Sequence, residues 1–240
     1  MNKGLTKENA QNCNGRLTDR PLRVLVACEE SQTVCAAFRG RGHEAYSADI
    51  LEPSGGHPEW HILGDVVPLL NGRCKFTTMD GVEHNVPGKW DLIIAHPPCT
   101  YLTLTANSWY EVGKYGDKAR QRYKDRYKAI VFFMYFILAD CEKIAVENPV
   151  GVMNTAYKKP DCIVHPYFFG DDAKKKTCLW LKGLQPLKAT NMIKPTTVKT
   201  GQGTDSPWHA YTWGLPTEER RKARSKTFPG IAQAMAEQWG

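Results

Sequence analysis

Cys99 stands in Pro97-Pro98-Cys99-Thr100, directly after the apolar run Trp90 to Ala95. That run reads as a buried strand, bounded by Gly88 and by the two prolines. In open α/β sheets ligands bind at the carboxyl ends of strands. Consecutive prolines stiffen the turn, which suits a sulfur that must be aimed. A thiolate there is the right nucleophile for an electron-poor carbon such as carbon 6 of a pyrimidine. Position alone favours a plainer alternative, a small buried cysteine after a turn. Glu147-Asn148-Pro149 likewise follows a strand-like run, Lys143 to Val146. A carboxyl at such a place can hydrogen-bond or protonate a ring nitrogen, and protonation at nitrogen 3 makes carbon 6 more electrophilic. Here too a plainer alternative stands beside it, because Asn-Pro initiates turns.

A third group of residues suits a nucleotide. Cys28-Glu29-Glu30-Ser31 follows the first apolar run and opens a helical stretch. A glycine-rich turn often occupies that place, but no Gly-x-Gly is present. Asp49, followed by Ile50, ends the second strand about twenty residues on, where an acid can hold two ribose hydroxyls. Gly64-Asp65-Val66 can offer a carboxylate to an adenine amino group.

The elements that must position these residues alternate. Leu22 to Ala27 reads as a strand, Ser31 to Arg41 as a helix closed by Gly40 and Gly42, and His43 to Ala48 as a second strand. A short strand is expected near Ile62 to Val66, and Trp90 to Ala95 is the next. Residues 100 to 116 read as a long surface loop with Gly113 and Gly116 as hinges. A long helix runs from Asp117 to Ala139, followed by the strand Lys143 to Val146. Val164 to Phe169 and Thr177 to Leu181 are further candidate strands. Residues 182 to 218 read as loops, Glu218 to Lys226 as a basic segment, and Ile231 to Gln238 as a terminal helix. Strands alternating with helices predict an α/β fold, a doubly wound, mostly parallel sheet covered on both faces. Residues 1–20 are polar and aperiodic, an expected flexible tail, leaving 21–240 as one domain.

The chain has 240 residues, enough for one sizeable core, and a formal charge of +7. Mild basicity is compatible with a nucleic-acid partner without requiring one. The longest apolar run, Ala129 to Ala139, is too short to span a bilayer, and no signal peptide is visible. The eight cysteines contain no Cys-x-x-Cys pair, so neither a zinc site nor a disulfide framework is expected. Reduced thiols in a cytoplasmic protein are the default.

Pro98-Cys99, Glu147-Asn148, Asp49 within Tyr46-Ser47-Ala48-Asp49 and Asp65 within Gly64-Asp65-Val66 together resemble the C5-cytosine DNA methyltransferase family. His96-Pro97-Pro98-Cys99-Thr100-Tyr101-Leu102, Phe169-Gly170, Thr177-Cys178-Leu179-Trp180-Leu181 and the ending Thr227-Phe228-Pro229-Gly230-Ile231-Ala232 look like a compact phage- or prophage-type branch of it. The resemblance covers about residues 22–240. It implies a Rossmann-like, S-adenosylmethionine-dependent enzyme acting on DNA, and modification of phage DNA against restriction. In the mechanism it implies, Cys99 attacks carbon 6 of a cytosine that is flipped out or already single-stranded, while Glu147 stabilises nitrogen 3. Carbon 5 then takes the methyl group, a base removes the carbon-5 proton, and Cys99 leaves. The implied cofactor residues are Cys28, Glu29, Ser31, Asp49, Ile50, Asp65, Val66 and Pro97.

Three departures from the family accompany the resemblance. The glycine-rich cofactor turn is replaced by two acids, one of which could face a methionine amino group. The family's Gln-x-Arg-x-Arg element aligns with Ala173-Lys174-Lys175-Lys176-Thr177, so Lys175 and Thr177 stand as the catalytic candidates there, with a solvated lysine turn as the alternative. Residues 182–222 leave room only for a reduced target-recognition segment, so specificity is expected to be short, weak or supplied by a protein partner.

Lys114, Lys118, Arg120, Arg122 and Lys124 are candidates for phosphate contacts, as are Arg220, Arg221, Lys222, Arg224 and Lys226. Tyr123 and Tyr127, one helical turn apart, read as packing residues. Rival readings are an exocyclic amino-methyltransferase, an enzyme acting on free pyrimidine nucleotides, and a non-catalytic DNA- or adenosine-binding relic. The first would need an acid before Pro-Pro and an aromatic residue after it, and His96 and Cys99 supply neither.

Overall fold

The computed structural model describes residues 20–201 and 203–240. The expected tail therefore lies outside the described residues, apart from Arg20, whose guanidinium grips the Asp91 carboxylate at 2.6 and 2.9 Å. In chain order the main elements are β1 (Arg23–Ala27), α1 (Thr33–Gly40), β2 (Glu44–Asp49), β3 (His61–Leu63), β4 (Cys74–Thr77), β5 (Glu83–Val86) and β6 (Leu92–Ala95). They continue with α2 (Val112–Tyr115), α3 (Asp117–Leu138), β7 (Ile144–Pro149), α4 (Met153–Ala156), β8 (Cys162–Val164) and β9 (Thr177–Lys182). The chain ends with β10 (Val198–Thr200), β11 (Gly203–Asp205), α5 (Pro207–Gly214), α6 (Thr217–Ser225) and α7 (Pro229–Trp239).

Seven strands form one sheet in the order β3-β2-β1-β6-β7-β9-β8. β3, β2, β1, β6 and β7 are parallel, and β9 runs antiparallel to both β7 and β8. The apolar strands explain the two-sided burial, because alternate residues feed alternate faces. Leu25, Ile93, Ile144 and Val146 pack towards α3 with its buried Phe133 and Phe136. Val24, Val26, Leu92, Ile94 and Ala145 pack towards α1 and α7, meeting Phe38, Met235 and Trp239. From β1 the chain winds one way to β2 and β3, then crosses to the other side for β6 and β7. The switch lies between β1 and β6, where such sheets open a crevice at their carboxyl ends.

Several expectations need correction. Residues 100–116 are not an open loop: Leu104–Tyr110 forms 3-10 turns and α2 follows. The strand expected over Val164 to Phe169 stops at Val164, because Pro166 cannot donate to the ladder, and a 3-10 turn takes Pro166–Phe168. Residues 182–218 contain the β10–β11 hairpin and α5. α5 carries a start signal, Ser206 at its cap accepting from the His209 N–H at 3.4 Å with Pro207 next. It lacks an apolar stripe, since Thr212 is its buried residue. The β4–β5 hairpin was also not expected; it packs Phe76 and Val86 on the α3 side of the sheet. Among the described residues no helix is long and apolar enough to cross a membrane.

Candidate active site

The candidate residues collect along the carboxyl ends of β1, β2, β6 and β7. Ala27 ends β1, and its carbonyl accepts the His96 N–H at 2.9 Å just past β6. This bond brings the end of β1, just before the Cys28 turn, together with the start of the Cys99 loop. Asn148 Nδ2 donates to the Pro97 carbonyl at 2.7 Å, tying the loop to β7. The Cys99 carbonyl then accepts from the N–H groups of Leu102 and Thr103, and the Leu102 carbonyl accepts from Val152 at 2.8 Å. Gly151 lies so close to this segment that a Cβ on it would meet the Leu102 oxygen at 2.0 Å. The Cys99 turn is thus held between β6 and the residues after β7, with Leu102 buried as its anchor.

Cys99 itself is exposed, at the mouth of a densely surrounded site. Burial pushes its thiol up, the Glu147 charge adds to that, and Lys175 opposes both. Glu147 is buried, which alone would raise its carboxyl; the Lys175 charge and the His96 hydrogen bond outweigh this and hold it below the usual carboxylate range. His96 Nδ1 lies 3.1 Å from Glu147 Oε2. Lys175 is anchored by donating to the Arg224 carbonyl at 2.9 Å, so α6 helps to aim it. Glu147, Lys175, Thr177, Thr227, Phe228 and Ile231 line one small cleft. Thr177 reaches it because the start of β9 pairs with the end of β7, Thr177 opposite Pro149. Cys99, Glu147, Lys175 and Thr177 therefore share one neighbourhood.

The cofactor candidates divide. Cys28 is pushed up by burial and then by the charges of Asp49 and Asp65, so these three residues converge. Asp49 lies at the end of β2, its carboxyl raised by burial, and accepts from the Leu51 N–H at 3.0 Å. Asp65 is exposed and accepts from Val67 at 3.0 Å. Ile50 is 76% exposed beside Asp49. Ser31 Oγ accepts from the Thr33 hydroxyl at 3.1 Å at the start of α1. Glu29 turns inward instead: its carboxylate accepts the N–H groups of Val34 and Cys35 at 2.6 and 3.1 Å, capping α1. Val66 and Pro97 are buried, Val66 within the α3-side core. Glycine is missing from the turn, yet its conformation is not, since Cys28 and Gln32 both have φ of 59°. Gln32 is fixed there by two bonds to the His57 backbone, at 2.8 and 3.0 Å.

A larger cavity of about 480 Å³ lies beyond Thr227 and Phe228, bordered by Thr33, Trp208, Lys222 and Lys226. It touches none of Cys99, Glu147 or Lys175. The basic groups are partly committed elsewhere. Arg126 lies 3.5 Å from the Tyr110 ring centre and donates to the Tyr101 carbonyl, and Arg122 flanks the same two tyrosines. These arginines fasten the segment after Cys99 to α3. Arg220 and Arg224 cover Trp213 at 5.1 and 4.9 Å. Tyr123 meets Tyr110 edge-on, but Tyr127 is 70% exposed and is not a packing residue. Among the described residues no group of His, Cys, Asp and Glu could hold a metal ion.

Sequence reasoning missed His96 as a partner of Glu147. Its place directly after a strand that neighbours the Glu147 strand was the available signal. No family model matches the chain, and no curated protein matches it significantly.

Proposed function

We propose that this chain is an S-adenosylmethionine-dependent DNA methyltransferase acting on carbon 5 of cytosine, with Cys99 as nucleophile. The observation that carries the reading is the meeting of Cys99, Glu147 and Lys175 beside the Cys28–Asp49–Asp65 group. On this reading a nucleophile, a ring-nitrogen partner and a nucleoside cradle lie along the same carboxyl edge of the sheet. The sheet is compatible with it: five parallel strands, β3, β2, β1, β6 and β7, form the doubly wound core that a Rossmann-like fold requires.

The residues present fit the cofactor. Asp49 is placed for ribose hydroxyls, exposed Ile50 offers an apolar face to a purine ring, and Asp65 can accept from an adenine amino group. With Glu29 capping α1, Glu30 remains as the acid for the methionine end. Its Oε2 is buried without a hydrogen-bond partner among the described residues, a place that suits an ammonium group. When bound, S-adenosylmethionine supplies an activated methyl group to an electron-rich carbon.

The protein's own work is to make carbon 5 electron-rich. The Cys99 thiolate bonds to carbon 6, and the displaced π electrons move through carbon 4 towards nitrogen 3, which takes a proton from the Glu147 side. Lys175 favours the thiolate and keeps Glu147 oriented by charge. Asn148 holds the Pro97 carbonyl and hence the direction of the sulfur. Cytosine in a duplex must leave the stack to reach Cys99. Lys118 and Lys124, exposed on α3, and Lys222, exposed on α6, are placed to meet phosphates.

The decisive experiment incubates the protein with labelled S-adenosylmethionine and DNA carrying 5-fluorocytosine. A covalent protein–DNA adduct, lost in Cys99→Ser, is expected. Label transferred by Cys99→Ala, or label found on the cytosine amino nitrogen, would overturn the assignment.

A further inference from the structure

We propose that His96 is the proton partner of Glu147, so that the buried pair, not Glu147 alone, holds the proton presented to nitrogen 3 of the cytosine. This rests on the cytosine reading above. The geometry is that of a dedicated pair. His96 Nδ1 and Glu147 Oε2 are 3.1 Å apart, and the two side chains are 7% and 11% exposed. The bond from the His96 N–H to Ala27 fixes the backbone that carries the ring.

The ring's other nitrogen is the telling atom. His96 Nε2 is buried with no hydrogen-bond partner among the described residues. Buried polar atoms are almost always paired, so an unpaired one beside Glu147 asks for a reason. The charged groups around the ring come from three sides. Glu147 lies on β7, Glu29 is on the turn after β1 and feels the His96 charge, and Lys175 acts from before β9 on Glu147. Cys99 is the titratable group of the ring's own loop, and its thiol feels Glu147 and Lys175. Lys175 favours an ionised Glu147, and burial pushes the Glu29 carboxyl up, so Glu147 is the acid that meets the ring directly.

A Glu147 kept ionised has no proton of its own to give at neutral pH. The pair can supply it. The pair shares one dissociable proton across the contact between His96 Nδ1 and Glu147 Oε2, and that proton lies on Glu147 when nitrogen 3 is bound there. As the sulfur–carbon 6 bond forms and the π pair reaches nitrogen 3, that proton moves to nitrogen 3. It returns to the pair when the carbon 5–carbon 6 double bond re-forms and Cys99 leaves. His96 does not touch the substrate and is a positioning and proton-holding residue.

The test uses His96→Asn, which keeps an N–H towards Glu147 but holds no dissociable proton. Single-turnover adduct formation with 5-fluorocytosine DNA and S-adenosylmethionine is followed against pH. The variant should lose about 10²-fold in rate, the usual worth of a positioned proton donor, together with the alkaline limb of the wild-type profile. A wild-type rate with that limb intact would overturn the proposal, because a merely structural role is rescued by Asn. A second arm needs no activity: nitrogen NMR of the His96 ring in the free protein, with and without Glu147→Gln. Replacing the carboxylate by an amide should move the Nδ1 resonance, because the charge-assisted bond to Oε2 is lost. An unmoved resonance sinks this proposal alone, and decides the matter if His96→Asn does not fold. A wild-type protein that forms no adduct sinks the cytosine reading, and this inference with it.

Discussion

Replacing Gly151 by alanine adds one carbon at a place where the backbone already touches the Cys99 segment. The new Cβ would lie 2.0 Å from the Leu102 oxygen, 2.9 Å from its carbonyl carbon and 3.2 Å from Thr103 Cα. Ordinary contact begins near 3.4 Å, so the two segments must part by about 1.4 Å. The Leu102 carbonyl cannot rotate away without breaking its bond to the Val152 N–H. Leu102 follows Cys99 by three residues and is bonded to its carbonyl, so the displacement falls on the sulfur. A misplacement of about 1 Å costs a reaction on the order of 10²-fold, and overpacking costs about 1–3 kcal/mol of stability. Gly151→Ala should therefore slow adduct formation with 5-fluorocytosine DNA by about 10²-fold while the protein stays folded. Gly72→Ala is the control. Its Cβ would meet the Gly88 oxygen at 2.1 Å, with the added strain of a φ of +61°, in turns that precede β6 rather than follow it. It should lower the denaturation midpoint with little change in adduct rate. Equal adduct rates in wild type and a folded Gly151→Ala protein would refute the claim that this contact aims the sulfur.

Two further expectations follow from the electrostatics of the crevice. Lys175→Met removes the charge that opposes burial and Glu147 at the Cys99 thiol, so less thiolate forms at any pH below its midpoint. Alkylation of Cys99 by iodoacetamide, measured by peptide mass, should need a higher pH in Lys175→Met and return towards wild type in Lys175→Arg; an unmoved profile would remove Lys175 from the site. Asp49→Ala deletes the acid placed for ribose hydroxyls, and bonds to charged groups are worth about 1.5–3 kcal/mol, so S-adenosylmethionine should bind roughly 10- to 100-fold more weakly by calorimetry.

The parallel core was legible because its strands are apolar on both faces and end at prolines or acids. Leu92 to Ala95 is completely buried, and so is Ile144 to Val146. Helix α3 was legible to within a residue of its end for a related reason: Phe133 and Phe136 give its second half a buried face. The hidden parts lack such periodicity. α6 has no buried residue, so its sequence reads as a charged segment, and it becomes a helix with Glu218 and Arg221 paired one turn apart. The segment after Cys99 looks loose in sequence because what orders it is distant: Arg122 and Arg126 reach it from α3. Cys99 and Glu147 could be singled out by motif, whereas the bond from His96 to Glu147 spans 51 residues and exists only through the pairing of β6 with β7.

The turn after β1 shows why the missing glycines mislead. Glycine serves such turns by taking left-handed backbone at no steric cost. Cys28 and Gln32 take it nonetheless, with φ of 59° at each, at a cost of roughly 1–2 kcal/mol per residue. The offset is visible nearby. Gln32 binds both the carbonyl and the N–H of His57, and Glu29 satisfies two N–H groups at the start of α1. A glycine turn leaves those N–H groups open for a ligand's anionic end. Here Glu29 occupies them, while Glu30 Oε2 is buried with no hydrogen-bond partner among the described residues. Under the proposed function, the turn would keep the shape of a cofactor cradle while favouring a ligand's ammonium over its carboxylate.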